Sequence, residues 1–118
     1  MTMTAPKPDE ILNVESAACL FRGLGDRTRL AIVQSLAVQE RRVVDLTLDL
    51  GLAQSTVSGH LACLRDCGLV TSRAVGRQSY YSLAQPSVLA LLDVASTVLA
   101  ETGDLPARCE TYGSKATT

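Results

Sequence analysis

The segment VVDLTLDLGLAQSTVSGHLACLRDCGLV, residues 43–70, constrains the possible folds of this chain more than any other. Its first part predicts a helix of about two turns, because apolar residues recur at helical spacing and Gly51 stands where a glycine commonly ends a helix. The apolar face comprises Val43, Leu46 and Leu50, widened by Val44 and Leu48. A second helix begins at Gln54 or Ser55 and is closed by Gly68. Two helices joined by a short turn predict a helix-turn-helix.

Two further helices are predicted before this segment. The first covers about residues 10–21, with Asp9 as its N-cap, after a lead-in of residues 1–8. The second is RTRLAIVQSLAVQ, residues 27–39, with Asp26 as its N-cap. Its apolar face is predicted to contain Leu30, Val33, Leu36 and Ala37, and Arg41 and Arg42 mark its end.

After the helix-turn-helix, the sequence predicts a β-hairpin and a last helix. Residues 70–82 alternate in the manner of two strands, with a basic tip at residues 75–78, which together form a wing. Pro86 begins the last helix, and Gly103 follows its end. Its broad apolar stripe suits dimerisation and comprises Val88, Leu91, Leu92, Ala95, Val98 and Leu99. We therefore expect a mostly α fold, a homodimeric winged helix-turn-helix with five helices and a hairpin between the fourth and the fifth.

Composition supports an assembly and excludes several classes of protein. The 118 residues are 47% hydrophobic but include one Phe, three Tyr and no Trp, so a dimer interface would enlarge a modest core. A net charge of −1 argues against diffuse, charge-driven adhesion. With no signal segment and no run approaching ~20 apolar residues, we expect a cytoplasmic protein without membrane contact. An enzyme is not expected, because His60 lacks a nucleophile and base arranged around it.

The second helix of the helix-turn-helix has a face suited to DNA. At roughly 100° per residue, its core stripe contains Val57, Leu61 and Leu64. Small residues lie opposite, namely Ser55, Ser58, Gly59 and Ala62. Small side chains there let the backbone approach base edges in a major groove. The expected DNA-contacting residues are Gln54, Ser55, Thr56, Ser58 and His60 on the helix, with Arg73 and Arg77 on the wing.

Three stretches, GLGDRTRLAIVQSL, SGHLACLRDCGLV and GRQSYYSL, together resemble the ArsR/SmtB family of winged-helix, metal-responsive repressors. The resemblance implies a homodimer with the first and last helices at its interface. It also implies binding to an inverted-repeat operator in double-stranded DNA and release when a metal binds. Gly59 departs from the family, because relatives often carry a side chain there that can reach a base, so no operator sequence is implied.

Cys63 and Cys67 lie about 40° apart on one helical face, a quarter turn from the core stripe, with His60 within about 60° of both. Packing fits two such cysteines less well than a lone one. A redox pair is disfavoured, because a helix C-terminus opposes a thiolate and cysteines four apart in a helix do not easily meet disulfide geometry. A metal would stabilise the thiolates but needs a third ligand, for which Cys109 is the best candidate. Cys19 is expected to be a packing residue, although a part in the site stays open for Cys19 and for His60.

Within the family, the cysteine pattern resembles the CmtR type of cadmium and lead sensor. Other sites of the family are absent, since RRVVDL has Arg42 and Val44 at its thiol positions and residues 86–101 contain no His. The matching ligands are Cys63, Cys67 and Cys109. The resemblance implies Cd²⁺ or Pb²⁺ as the inducer, with the tail cysteine coming from the other protomer, although a site within one protomer stays open. Thiolates favour soft ions, so arsenite, mercury and zinc are alternatives.

The sequence thus predicts a lead-in at residues 1–8, a DNA-binding and dimerisation domain at residues 9–101, and a tail at residues 102–118 that carries a candidate metal ligand. A divalent ion held by three thiolates has a net charge of −1 beside a helix that must approach phosphate. It also ties the tail to that helix, and we expect both effects to release DNA. A winged-helix module without a metal effector is the alternative function.

Overall fold

The helix-turn-helix, the wing and the last helix are all present in the computed structural model of the chain, which describes residues 12–113. The helices are α1 (Val14–Leu24), α2 (Arg27–Val38), α3 (Val43–Leu50), α4 (Gln54–Asp66) and α5 (Pro86–Thr102), followed by a 3₁₀ helix at Leu105–Arg108. The strands are β1 (Arg41–Arg42), β2 (Val70–Val75) and β3 (Gln78–Leu83). The chain divides into two compact units between Ala84 and Gln85. The predicted mostly α fold with a β-hairpin wing is confirmed.

The first two helices begin at capping side chains. The Asn13 side chain accepts a hydrogen bond from the Ser16 amide at 3.0 Å, and Asp26 caps α2 as predicted by accepting from the Arg29 amide at 3.0 Å. The bounds predicted for the first helix are wrong, because α1 begins at Val14 and continues to Leu24. The predicted cap Asp9 and the lead-in lie outside the described residues.

Glycines end both helices of the helix-turn-helix. Gly51 and Gly68 follow α3 and α4 with left-handed φ angles of 66° and 78°, a conformation that costs a residue with a Cβ additional free energy. After Gly68 the Leu69 amide donates to the Leu64 carbonyl at 3.0 Å, which closes the end of α4 and turns the chain into β2. These turns confirm the predicted ends of the two helices.

The three-stranded sheet has the order β1-β3-β2, and both pairings are antiparallel. The hairpin register pairs Val70 with Leu83 and Val75 with Gln78, so that Gly76 and Arg77 form its tip. Strand β1 was not predicted. It contains only two residues, which is too short for an alternating pattern, and it forms because Arg41 pairs with Tyr81 across the sheet.

The core of the first unit lies between α2, α3, α4 and the base of the hairpin. Its most completely buried side chains are Ile32, Val33, Leu46, Val57, Leu61 and Leu64. Two sequence predictions fail here. Leu30 is exposed while Ile32 is buried, so the apolar face of α2 is rotated, and Val44 and Leu48 do not widen the buried face of α3 because both are exposed.

In the second unit, Pro86 begins α5 as predicted and Gly103 ends it with a φ angle of 63°. Val88 is buried and Leu91 and Leu92 are half-buried, whereas the remaining predicted stripe residues, Ala95, Val98 and Leu99, are exposed in the single chain. Among the helices of residues 12–113, none is long and apolar enough to cross a membrane.

Leu46 and Leu48 provide a matched test of the core. Leu46 is 0% exposed and Leu48 is 78% exposed on the same helix. We expect Leu46→Ala to lower the free energy of unfolding by about 2–5 kcal/mol, because it leaves a cavity, and Leu48→Ala to change it by no more than about 0.5 kcal/mol. Urea denaturation of both variants measures this, and similar losses in the two would contradict the described core.

Candidate functional site

Helix α4 presents a face of small, exposed residues away from the core. The predicted core stripe of α4 is fully buried, which directs the opposite side toward water. The exposed residues of the helix include Gln54, Ser55, Thr56, Ser58, Gly59 and Ala62. A Cβ atom built on Gly59 would have no neighbour within 4 Å, so the backbone there is open. This surface, with the wing beside it, matches the geometry that a helix needs to enter a major groove.

His60 differs from the other predicted DNA-contacting residues, because it is half-buried. It lies near Asp26, the N-cap of α2. The pKa of Asp26 is lowered mainly by the hydrogen bond from the Arg29 amide and to a smaller extent by His60. His60 therefore lies toward the start of α2, and its contact with DNA stays a prediction.

The two wing arginines have different surroundings. The Arg73 guanidinium is held by the Glu40 carboxylate, with Nε 2.9 Å from Oε2, and lies 5.2 Å from the centre of the Tyr80 ring. This ion pair lowers the pKa of Glu40 through the hydrogen bond from Arg73. Arg77 is exposed at the hairpin tip and has no ion pair within the described part of the chain. Its charge is the freer of the two to meet a phosphate.

A polar cleft of about 320 Å³ joins the start of α4 to the wing, since Gln54 and Arg77 both line it. Arg42 lines the same cleft and connects α3 to strand β3. Its guanidinium donates to Asp45 at 2.9 and 3.1 Å and to Gln78 at 3.1 Å. The hydrogen bonds that Asp45 accepts from the Arg42 side chain and backbone amide lower the pKa of Asp45 to about 2. The predicted helix residue Gln54 and the predicted wing residue Arg77 thus share one surface.

At the other end of α4, Cys63 and Cys67 come together. Cys63 is half-buried and lies close enough to Cys67 to act on the pKa of its thiol. The pKa of Cys67 is raised, first because its sulfur loses hydration against the neighbouring helix and second because of the nearby Cys63. The pair lies outside the fully buried core stripe, as predicted, and two adjacent sulfurs are donors that soft metal ions prefer.

Cys19 is not the packing residue that the sequence predicted, because its side chain is exposed on α1. It lines a cleft of about 210 Å³ together with Cys63, Cys67 and Arg29. Arg29 is anchored there by hydrogen bonds from its guanidinium to the carbonyls of Gly23 at 2.6 Å and Arg22 at 3.3 Å. A single residue on α1 carries no sequence signal for this neighbourhood, which arises because the chain directly after α4 lies over Gly23.

Cys109 belongs to the second unit and follows the 3₁₀ helix. It is half-buried, and the pKa of its thiol is lowered mainly by hydrogen bonds from the backbone amides of Tyr112 and Thr111. The chain turns back here, with the Gly113 amide donating to the Cys109 carbonyl at 2.7 Å. This environment favours the thiolate, the form of cysteine that binds metals.

The three predicted metal ligands are divided between the two units, with Cys63 and Cys67 in the first and Cys109 in the second. Over residues 12–113, no three His, Cys, Asp or Glu side chains are grouped closely enough to hold a metal ion. The structure of one chain therefore contains a pair of adjacent thiols and a separate activated thiol. Their joint role as ligands stays a prediction.

The fold and the exposed face of α4 define the class of protein, because a helix-turn-helix followed by a β-hairpin is the architecture of winged-helix DNA-binding regulators. The sequence profile described as "Bacterial regulatory protein, arsR family" matches residues 26–72. The HTH-type transcriptional regulator CmtR of Mycobacterium bovis is 42% identical over 102 residues, which cover 85% of this chain and 86% of the relative.

Two other relatives agree with this match. A probable mercury resistance operon repressor of Streptomyces lividans is 37% identical over 87 residues, covering 74% of this chain and 70% of the relative. The solution structure of a homodimeric winged helix-turn-helix DNA-binding domain from Mycobacterium bovis, a possible ArsR-family regulator, has a TM-score of 0.71 and 28% identity, covering 85% of this chain and 93% of that one.

The chain belongs to the ArsR family of bacterial regulatory proteins. It is a winged-helix transcriptional repressor of the ArsR/SmtB type, and the expectation that it is not an enzyme is confirmed by its family.

Proposed function

We propose that this protein is a homodimeric repressor that binds an inverted-repeat operator in the cytoplasm and leaves it when Cd²⁺ or Pb²⁺ binds Cys63, Cys67 and Cys109. One observation carries the proposal. Helix α4 has two adjacent sulfurs at its C-terminal end and an exposed, small-residue face toward its N-terminal end. A single rigid element thus connects a soft-ion binding group with the surface that meets DNA.

The DNA surface of the proposal consists of the exposed face of α4 and the free arginine of the wing. Gln54, Ser55, Thr56 and Ser58 would contact bases and phosphates, and Arg77 would reach the backbone or the minor groove. Residues 41–81 contain five Arg, three Asp and no Glu, so this part of an otherwise acidic chain has a local excess of positive charge. Such an excess supports binding to phosphate.

The homodimer is supported by α5. Val94, Val98 and Leu99 are exposed on this helix, and apolar side chains at this spacing would be covered in an interface between two copies. The homodimeric relative of known structure supports the same assembly. Two copies would present two α4 helices to successive major grooves, which is why we propose an inverted-repeat operator.

The metal part of the proposal depends on donor chemistry. Sulfur donors select soft ions, and the pair Cys63–Cys67 supplies two of them at one place. Cys109 would supply the third, because the amides around it already favour its thiolate. Cys109 would come either from the same protomer or from the partner in the dimer. Mercury is the second candidate, because one relative is named as a mercury resistance operon repressor; arsenite and zinc would compete for the same thiolates.

Release of DNA would follow from the charge of the metal site and from movement of α4. Three thiolates and a divalent ion place a net charge of −1 on the element that approaches phosphate. Helix α4 has 13 residues and is therefore about 20 Å long, so a small tilt at its sulfur end moves the DNA-facing end. Shifting the population from 1:99 to 99:1 requires a differential of about 5.5 kcal/mol, which two thiolate sites per dimer would share.

The experiment is operator binding across a panel of ions. The metal-free protein selects a duplex from random sequences, and fluorescence anisotropy then follows release by Cd²⁺, Pb²⁺ and Hg²⁺, with Mg²⁺ as the hard-ion control. We expect soft ions to release the DNA from the wild type and Cys63→Ser to retain it at the same concentrations, because the variant loses one of the paired sulfurs. Undiminished operator affinity at saturating Cd²⁺, Pb²⁺ and Hg²⁺ would contradict the proposal.

The wing arginines give a separate prediction about DNA. We expect Arg77→Gln to weaken binding to all duplexes and to reduce the slope of log K against log salt by about one per protomer, because one phosphate contact is lost. The matched control is the double variant Glu40→Gln/Arg73→Gln, which removes a paired charge and leaves the net charge unchanged. Its slope should equal that of the wild type. An unchanged slope for Arg77→Gln would refute the assignment of Arg77 to a phosphate.

A further inference from the structure

We propose that Cys19 supplies a third thiolate to the Cys63–Cys67 pair of its own protomer, so that the first unit holds a soft metal ion without the tail. The inference rests on the proposed function, since it concerns the same pair of sulfurs. It adds a ligand from α1, and it makes the ion a link between α1 and the end of α4.

Cys67, which directly follows α4, lies on the Cys19 face of α1. A Cβ atom built on Gly23 would lie 3.9 Å from the Cys67 sulfur, so this sulfur stands over Gly23. Cys19 precedes Gly23 by four residues, which is one turn on the same face of α1. The Cys67 sulfur therefore lies close to the turn of α1 that carries Cys19.

Two neighbouring clefts are each lined by both Cys19 and Cys67. One is lined by Cys19 and Cys67 with Glu15, Ser16 and Leu20, and the other by Cys19, Cys63 and Cys67 with Arg29. The second cleft, at about 210 Å³, has ample room for one ion, and all three cysteines line it. Cys19 thus borders the same space from α1 as Cys63 and Cys67 do from the end of α4.

Closing the site requires the cysteine side chains to move. As the side chains stand, no three ligands within residues 12–113 surround a common point. Cys19 is exposed and free to turn, and a change of its χ1 angle between two staggered positions moves the sulfur by about 3 Å. Cys63 and Cys67 are close enough for Cys63 to raise the pKa of Cys67. An ion that binds this pair first would therefore recruit the third sulfur across the cleft that all three cysteines line.

Arg29, which lines the cleft, would offset the negative charge of a thiolate site. Three thiolates and a divalent ion leave one negative charge, and the Arg29 guanidinium lines the same cleft as the sulfurs. Arg29 is fixed there by the carbonyls of Gly23 and Arg22, so its position does not depend on the ion. The ligands this site would accept are thiophilic ions that take three sulfurs, such as Cd²⁺, Pb²⁺ or trivalent arsenic.

The test uses the full chain with Cys109→Ser, so that only the first unit supplies sulfur. Cadmium is the probe, and its thiolate charge-transfer absorbance rises with the number of bound sulfurs. We expect Cys109→Ser to bind one Cd²⁺ per protomer with a three-sulfur band. Cys19→Ser/Cys109→Ser should lose about one third of that intensity and bind roughly tenfold more weakly or worse, measured by chelator competition.

Ser16→Ala in the Cys109→Ser background is the matched control, because it changes another cleft residue of α1 without removing sulfur, and its cadmium band should be unchanged. Far-UV circular dichroism and metal-free operator binding report that each variant is folded. The inference is overturned if Cys109→Ser binds no Cd²⁺, or if adding Cys19→Ser leaves intensity and affinity unchanged. If adding Cys19→Ser has no effect, the single variant Cys63→Ser separates the two proposals. Loss of Cd²⁺ binding in Cys63→Ser would leave the proposed function standing, whereas unchanged Cd²⁺ binding would refute both.

Discussion

Burial of one stripe of α4 is the constraint on which the rest of the molecule depends. Val57, Leu61 and Leu64 are completely buried, and each such side chain contributes about 1.5–3 kcal/mol relative to exposure. The ion pairs around the wing are exposed to water and include no residue of α4, so they do not determine its rotation. Once the stripe faces inward, the helical period directs Ser55 and Ser58 toward water and brings the cysteine pair beside α1.

The two ends of α4 consequently have different chemistry on a single rigid element. Its N-terminal half is polar, small and open, and the wing tip lies beside it through the cleft that Gln54 and Arg77 share. Its C-terminal end has paired thiols and a glycine turn that returns the chain to the sheet. In the proposed mechanism, a metal ion at the sulfur end would act on the end that is proposed to face DNA, without any conformational change within the helix.

Much of the fold and part of the candidate site could be predicted from the sequence, because they depend on local sequence patterns. Asp26, Gly51 and Gly68 mark helix ends through hydrogen bonding and backbone conformation that depend on neighbouring residues alone. The failures have tertiary causes. The β1 strand exists only because β3 offers it hydrogen bonds, and Leu48 is exposed although it lies at helical spacing from buried residues. The neighbourhood of Cys19 depends on the position of the chain directly after α4 over Gly23, which no local pattern encodes.

The central claim is that soft-metal binding at the sulfur end of α4 and DNA binding at its other end oppose each other. Coupling between two sites is reciprocal, so the most direct measurement is the affinity for Cd²⁺ of the free protein and of the protein saturated with operator duplex. The account predicts that DNA weakens Cd²⁺ binding by the same factor by which Cd²⁺ weakens DNA binding. Equal Cd²⁺ affinities of the free and the DNA-bound protein would contradict it.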